Sequence, residues 1–383
     1  MASSDVNYLR ADFGDLSVTL HRESLTALKA QAAGPIALTA RPAGGLSSHA
    51  LSLIGSRPVF DLNVLCQQNG VMVPAADTGT ITIGIRYIPA QQEMAAELCG
   101  VYVDPAGGAH LLSASAYDPV RNMVFFKTDH CSIYGVGRQA VPAFADTASH
   151  WSRADAAFAA SRGLIPAASA NAFNPEAPMT RGAVAAALGR LAQIDPAMYT
   201  TVYADVSAPE APYADWAVRN HIMDNRGETT FAPDQTVTRG EMALIAGRFA
   251  ASTKTALPSA YGTASFSDSG QFGGSDLQRA AGQMCRAGLM TVRADNCFAP
   301  DEAVTRAEAA ALMHQLVKLS HSSGTLSGWQ QASSGTWFYY ENCRPATGWQ
   351  EIGGKRYYFH PDGVMASNTT VEGTQLGSDG AAL

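Results

Sequence analysis

A Thr-Arg pair follows an aromatic-x-Pro in the segment Phe231-Ala232-Pro233-Asp234-Gln235-Thr236-Val237-Thr238-Arg239-Gly240-Glu241. The arginine lies six residues after the proline, and the same pattern recurs from Phe173 to Arg181 and from Phe298 to Arg306. Successive arginines are 58 and 67 residues apart, so the motif stays constant while the intervening loops vary in length. This recurrence indicates a tandem repeat of one supersecondary unit.

Helix starts are predicted at the threonine of each copy. Thr238 and Glu241 fit a capping box, in which the threonine hydroxyl accepts from the N3 amide and the glutamate accepts from the N-cap amide. Thr305 and Glu308 repeat it, whereas the first copy has Ala183 where the glutamate is expected. Apolar residues then follow at spacings of three and four, which predicts one buried helical face. These residues are Val184, Leu188, Leu191, Met242, Ile245, Phe249, Leu312, Met313 and Leu316.

The arginine of each Thr-Arg pair is not explained by capping, because a side chain at the first helical position takes no part in the capping box. A helix N-terminus has free amides and a dipole that favour anions. An arginine placed there would add charge-assisted hydrogen bonds to a carboxylate or phosphate. The recurring residues Arg181, Arg239 and Arg306 are therefore predicted to bind an anionic group.

Each copy also opens with an aromatic residue two positions before an aspartate, which is Asp146, Asp205 or Asp268. In the first two copies a tryptophan, Trp151 or Trp216, follows on the next predicted helix, whereas the third copy lacks one at that place. A glycine turn then precedes the aromatic-x-Pro, with a histidine in place of the glycine in the second copy. The shared order of these features supports one repeated helical unit.

The whole pattern resembles the S-layer homology domain, whose consensus ends in Thr-Arg-Ala-Glu. The resemblance implies three helical modules in a pseudo-threefold arrangement, at residues 140–200, 201–260 and 261–321. In that family the Thr-Arg motifs and opening aspartates line grooves that bind cell-wall polysaccharide, often through a pyruvylated amino sugar, whose carboxylate would suit an arginine. The glycan-binding residues so implied are Asp146, Trp151, Arg181, Asp205, Trp216, Arg239, Asp268 and Arg306. Because the third copy lacks its tryptophan and the first its glutamate, we expect one or two competent grooves.

Residues 1–139 are predicted to form a β-sandwich-like domain. Residues 81–87 alternate with period two, residues 101–103 and 123–126 are further β-rich runs, and one short helix is expected around residues 24–31. Residues 127–134 resemble the Thr-x-His-Phe-Ser-x-Tyr ending of β-rich modules that precede surface-layer modules, with Cys131 in place of the phenylalanine. Neighbouring strand residues point to opposite faces, so His130 and Cys131 are predicted to be structural and not catalytic.

Residues 322–383 are rich in aromatic residues and glycine. Gly328-Trp329-Gln330 recurs as Gly348-Trp349-Gln350, and short strands with turn residues predict stacked β-hairpins. These repeats resemble choline-binding or glucan-binding cell-wall repeats, which implies aromatic side chains that cage a quaternary ammonium or stack on sugars. The candidate residues are Trp329, Trp337, Trp349 and Tyr358. The alternative is a hairpin that packs through its own aromatic side chains.

Composition excludes several classes of protein. A net charge of -7 argues against nucleic acid as the main partner, and no apolar run reaches the roughly 18–20 residues that span a bilayer. The first five residues have neither the basic start nor the apolar core of a signal peptide, so a fragment or mature form is expected. The six cysteines show no Cys-x-x-Cys spacing, so no zinc site is expected, and their pairing is left open.

The sequence thus predicts a multidomain α+β protein at the bacterial cell surface that is not an enzyme and has no cofactor or metal. Its function would be non-covalent anchoring of a surface protein to wall polysaccharide, with choline or glucan as candidate ligands of the C-terminal repeats. One alternative is the targeting region of a wall hydrolase or other surface enzyme whose catalytic domain lies upstream. Another is a host or matrix ligand for the N-terminal domain.

Overall fold

The computed structural model describes residues 8–118, 121–140, 143–200, 202–257, 266–321, 328–331, 337–341, 344–360 and 364–383. The chain divides into two compact units, Met1–Val141 and Pro142–Leu383. The predicted boundary after residue 139 lies close to this division. The first five residues, on which the expectation of a fragment rests, and Cys343 lie outside the described residues.

The first unit is built from two antiparallel sheets, with strands numbered here in chain order. One sheet has the order β1-β2-β6-β10-β9, and the other has the order β3-β4-β11-β7-β8 with β5 also paired to β4. The first sheet comprises β1 (Tyr8–Asp12), β2 (Leu16–His21), β6 (Ile81–Arg86), β9 (Ser115–Asp118) and β10 (Met123–Thr128). The second comprises β3 (Ile36–Pro42), β4 (Val59–Gln68), β5 (Val71–Pro74), β7 (Leu98–Val103), β8 (Ala109–Leu112) and β11 (Ile133–Arg138).

The core of this unit lies between the sheets. Val18 and Ile83 of the first sheet are fully buried in one cluster with Val64 and Val136 of the second. Burial of alternate apolar side chains from two facing sheets is what holds a β-sandwich together. The predicted sandwich is therefore confirmed.

Two helices accompany the sheets. The predicted helix is α1 (Arg22–Gln31), whereas α2 (Ser48–Ile54) was not predicted. The Ser47 hydroxyl caps α2 by accepting from the Ala50 amide, and Ile54 is buried against the outer face of the second sheet. With seven residues, α2 is too short for a clear helical period in the sequence.

The second unit contains the three predicted helical modules, each with two helices. They are α3 (Arg153–Ser161) and α4 (Arg181–Leu191), α5 (Ala211–Arg219) and α6 (Arg239–Ser252), and α7 (Ser275–Arg286) and α8 (Arg306–His321). Short 3-10 turns lie at Ala145–Thr147, Pro196–Met198, Ser269–Gln271 and Ala294–Asn296, and one more, Ala95–Glu97, is in the first unit. The nine apolar residues predicted for the second helices are all buried.

The modules close into a ring. The first helix of each module packs on the second helix of the preceding one, so α5 contacts α4, α7 contacts α6 and α3 contacts α8. At the centre, three backbone hydrogen bonds of 2.9 Å form a triangle, in which Met179 donates to Val304, Val304 to Val237 and Val237 to Met179. The predicted pseudo-threefold arrangement and the α+β class are confirmed.

The C-terminal strands form small antiparallel sheets. The first contains β12 (Gly328–Gln331), β13 (Trp337–Glu341) and β14 (Arg344–Pro345), and two hairpins follow. These are β15 (Gly348–Ile352) with β16 (Lys355–Phe359), and β17 (Thr370–Val371) with β18 (Thr374–Gln375). Phe359 and Met365 form a small core with Trp329 and Tyr357 packed against it. Among the described residues, no helix has the length and apolar character that crossing a bilayer requires.

Candidate functional site

The three recurring arginines reach across the module boundaries. Each Nε donates to the carbonyl of the aromatic-x-Pro phenylalanine in the next module, and each guanidinium lies over that phenylalanine ring. The Nε to oxygen distances are 2.9 Å for Arg181 to Phe231, 2.8 Å for Arg239 to Phe298 and 2.8 Å for Arg306 to Phe173. The guanidinium carbon lies 4.7, 4.9 and 4.8 Å from the respective ring centroids. The third arginine therefore returns to the first module and completes the ring.

The Nη2 groups and the helix-start amides are also occupied by the next module. The Nη2 atoms of Arg181, Arg239 and Arg306 donate to the carbonyls of Asp224, Thr291 and Pro166. The amides at the first and second helical positions donate to carbonyls of the next loop, as Arg239 N does to Glu302 and Gly240 N to Pro300. The free amides assumed from the sequence are therefore not free, and the helix N-termini by themselves are not anion sites.

The opening aspartates hold the aromatic-x-Pro turns. In the second copy, the Asp205 carboxylate accepts from the amides of Phe231 and Ala232 at 2.8–3.2 Å, and Asp146 and Asp268 repeat these contacts. The bond from Phe231 is the main cause that holds the pKa of Asp205 below its usual value. Ala232 has a φ of 56°, and these bonds stabilise its left-handed backbone conformation. The aspartates therefore present the phenylalanine carbonyl to the incoming arginine.

The two predicted tryptophans occupy different positions. Trp151 lies two residues before α3 and is 48% exposed, whereas Trp216 is the sixth residue of α5, is 5% exposed and packs edge-on to Phe249. The sixth residue of α3 is the buried Phe158, so Phe158 and not Trp151 is the counterpart of Trp216. Trp216 contributes to the core, and stacking on a sugar would require it to leave that core.

Trp151 borders a cavity of about 300 Å³, called here the Trp151 cavity. Its apolar wall comes from the third module and its polar wall from Arg239 together with the α8 helix start. The lining residues are Trp151, Arg239, Leu289, Met290, Thr291, Arg293, Val304, Glu308, Ala311 and Leu312. The ring of His150 lies 5.4 Å from that of Trp151, and His150 is itself bonded to Ser152 and Glu176 at 2.8 Å. The indole is therefore held at the mouth of the cavity.

The polar wall of the cavity is an ion-pair network. Glu308 accepts from Nη1 of Arg239 and, at 2.8 Å, from Nη1 of Arg293. Arg293 also contacts Glu302 through Nε and Nη2, both at 3.1 Å. Burial, the largest cause, would lower the pKa of Arg293, but the two carboxylates outweigh it and raise that pKa. Glu308 and Arg293 were not among the predicted site residues.

A signal for Arg293 is present in the sequence. Arg293 and Arg226 each lie five residues before the phenylalanine of their aromatic-x-Pro, and Arg226 pairs with Glu241 as Arg293 does with Glu308. In the first module both positions are alanine, Ala168 and Ala183. The loss of the capping glutamate there is therefore accompanied by the loss of its arginine partner.

The capping interactions agree with the sequence. Thr238 with Glu241 forms a complete capping box, and Thr305 with Glu308 makes the same two bonds at 3.2 and 2.9 Å. In the first copy only the Thr180 hydroxyl takes part, accepting from the Ala183 amide at 3.3 Å. These predictions are confirmed because capping depends on residues close in the chain.

The four aromatic candidates of the C-terminal repeats fall into two groups. Trp329 packs edge-on to Trp337 and Tyr357, with centroid distances of 6.2 and 4.7 Å, and so contributes to the hairpin core. Trp337 keeps 38% of its surface exposed. Trp349 and Tyr358 are cross-strand partners on the other face, 5.4 Å apart.

The face of Trp349 is already covered by a cation. The Arg356 guanidinium carbon lies 4.6 Å from the Trp349 ring centroid, and the indole Nε1 donates to Glu372 at 2.9 Å. A quaternary ammonium would need this same position over the ring. The structure therefore places an internal cation where the resemblance implies a ligand.

The His130 and Cys131 segment has a structural environment. The Tyr134 hydroxyl is bonded to the Thr128 hydroxyl at 2.7 Å and to the His130 carbonyl at 2.9 Å, and the His130 ring packs edge-on to Tyr102. Burial raises the pKa of the Cys131 thiol, which disfavours the thiolate that nucleophilic chemistry needs. Among the described residues, no cluster of three or more histidine, cysteine or acidic side chains is placed to hold a metal.

Models of two known protein families match parts of this chain. The S-layer homology domain model matches residues 143–185, 203–243 and 282–310. The chain carries three S-layer homology domains. A second model, the choline-binding repeat, matches residues 346–376. The S-layer homology domains indicate a bacterial surface protein associated with the cell surface or cell wall.

Two curated relatives are large enzymes. An amylopullulanase of Thermoanaerobacterium thermosulfurigenes is 25% identical over 222 residues, 57% of this chain and 12% of that protein. The exoglucanase XynX of Acetivibrio thermocellus is 26% identical over 182 residues, 47% of this chain and 16% of that protein. This chain thus spans less than a fifth of the length of either relative.

Among solved structures, similar segments occur in pneumococcal proteins. CbpJ from Streptococcus pneumoniae TIGR4 is 36% identical over 15% of this chain and 20% of its own, with a TM-score of 0.14. The choline-binding domain of Spr1274 from Streptococcus pneumoniae is 31% identical over 15% of this chain and 92% of its own, also with a TM-score of 0.14.

Proposed function

We propose that this chain anchors a surface protein to the bacterial cell wall, without a covalent bond, by binding secondary cell-wall polysaccharide at the ring of S-layer homology domains. The observation that carries the proposal is the exposed Trp151 indole at the mouth of a cavity of about 300 Å³. Exposed aromatic side chains beside a concave site with a few polar groups are typical of ligand sites. The choline-binding repeat would supply a second contact with the wall.

A pyruvylated unit of the polysaccharide would be recognised at Arg306. Its Nε and Nη2 bind carbonyls, but among the described residues no carboxylate pairs with it, because Ala183 stands at the position that Glu308, the partner of Arg239, has in the third module. Arg306 is half-buried and Arg239 fully buried, so Arg306 is the more accessible cation. A carboxylate there would gain a charge-assisted hydrogen bond.

The test is sedimentation of the full chain with purified wall sacculi, with excess choline present to suppress binding by the C-terminal repeats. Trp151→Ala should weaken retention at least tenfold, equal to about 1.4 kcal/mol of binding free energy. The matched control is Met198→Ala, which truncates an exposed side chain that is not part of the cavity. Retention of Trp151→Ala equal to that of the control would refute the proposal. Arginine-to-alanine variants are unsuitable here, because the arginines join the modules.

A second candidate is the targeting region of a surface enzyme. The observation in its favour is that both curated relatives are glycan-degrading enzymes by name, of which the matched part is only 12% and 16%. On this proposal the chain has no catalysis of its own. A zymogram in which the purified chain cleared cell walls or glucan would contradict that statement, whereas a catalytic domain in the upstream reading frame would support the targeting role.

A further inference from the structure

We propose that the Trp151 cavity binds an uncharged sugar unit and discriminates against a carboxylated one. This inference rests on the proposed function and names the chemistry of the ligand at that site. It separates the cavity from Arg306, which has no paired carboxylate among the described residues.

The first argument is charge. The polar wall contributes two guanidiniums, Arg239 and Arg293, and the carboxylate of Glu308. Glu302 does not line the cavity but pairs with Arg293, so the net charge of the ion-pair network is zero. Every nitrogen of the Arg239 guanidinium has a partner, namely the Phe298 carbonyl, the Thr291 carbonyl and Glu308. The Arg239 side chain is only 1% exposed, so a ligand would have to displace one of these partners to bond to its guanidinium.

The second argument is that Glu308 is held in place. Its Oε2 accepts from the Thr305 amide at 2.9 Å as part of the capping box, while Oε1 faces both arginines. A ligand carboxylate would be a third anion against two cations. It would have to displace Glu308 from its cap or lie beside it. A ligand carboxylate beside the Glu308 carboxylate would be repelled by it, because both groups are negatively charged.

The third argument is the apolar surface of the cavity, which is available to a ligand. The Trp151 indole and the side chains of Leu289, Met290 and Leu312 give an apolar wall. A pyranose offers a C–H face that can stack on an indole, and its hydroxyls can donate to the carboxylate of Glu308, which lines the cavity. The cavity volume is at the lower end of the roughly 300–1,000 Å³ seen for small-molecule sites, which fits one sugar unit.

The experiment compares methyl N-acetylglucosaminide with its 4,6-pyruvate ketal, using the full chain labelled with 5-fluorotryptophan. The ¹⁹F resonance of Trp151, assigned by its loss in Trp151→Phe, reports on this cavity and not on binding at Arg306. The uncharged glycoside should bind at least tenfold more tightly than the ketal. Glu308→Gln, which keeps the capping box and leaves the network one positive charge in excess, should raise the affinity for the ketal at least tenfold.

The matched control is Glu241→Gln, which makes the same change in the capping box of α6 and should leave both affinities at the Trp151 resonance unchanged. A ketal that binds the wild-type cavity as tightly as the uncharged glycoside overturns the inference and leaves wall anchoring intact. A Trp151 resonance that neither glycoside moves also overturns the inference. The proposed function itself fails only if Trp151→Ala retains full binding to sacculi.

Discussion

Replacing Arg239 by methionine is expected to destabilise the second unit by about 3 kcal/mol. The side chain keeps its length and apolar stem but loses the bonds to the Phe298 and Thr291 carbonyls, each worth about 1 kcal/mol net. It also loses the nearly buried ion pair with Glu308, to which we assign about 1 kcal/mol because Arg293 still pairs with that carboxylate. The midpoint of thermal unfolding should fall by roughly 9 °C.

Two further variants test whether the loss of stability comes from the contacts between modules. Arg306→Met breaks the equivalent two carbonyl bonds without an ion pair and should cost about 2 kcal/mol. Arg279→Met, which removes an exposed arginine paired only with Asp276, should stay within about 0.5 kcal/mol of wild type. The measurement is urea unfolding followed by circular dichroism at 222 nm. The reasoning is refuted if Arg239→Met is no more destabilising than Arg279→Met.

Three other outcomes are expected. Burial lowers the pKa of His314 to about 4, so the native imidazole is neutral, and the free energy of unfolding should fall by up to about 3 kcal/mol as pH drops from 6.5 towards 4. His314→Gln should flatten that part of the pH profile in urea unfolding, and an unchanged profile would contradict the assignment. Ala232→Asn should stabilise by about 1 kcal/mol, because Asn174 shows that asparagine accepts the same left-handed conformation; a lower melting temperature would count against this. Arg356→Leu should uncover Trp349 and raise choline affinity several-fold in a fluorescence titration, whereas weaker binding would mean that Arg356 is part of the site.

Structural features that depend on residues close together in the chain were predicted correctly from the sequence. Thr238 and Glu241 lie three residues apart, so their mutual capping could be predicted without knowledge of the fold. The buried faces of α4, α6 and α8 follow from helical spacing alone. Alternation along residues 81–87 likewise predicted β6, because period two places every second side chain in the core.

What could not be predicted depends on contacts distant in sequence. The partners of Arg306 lie 133 and 140 residues away, so nothing near the Thr-Arg motif shows that its arginine joins modules. Trp216 was paired with Trp151 because both follow an aspartate. The distance to the following turn separates them, since Trp151 is twelve residues before Gly163 and Trp216 is five before His221.

The central triangle of Met179, Val237 and Val304 has a consequence for how the chain can be cut and rejoined. In this triangle each module donates to the preceding one and the first donates to the last, so position around the axis does not depend on order along the polypeptide. A circular permutant that begins at the third module and ends after the second should therefore assemble the same surface. Two fragments divided between modules should likewise complement each other, which makes the arrangement suitable for reconstitution from separate pieces.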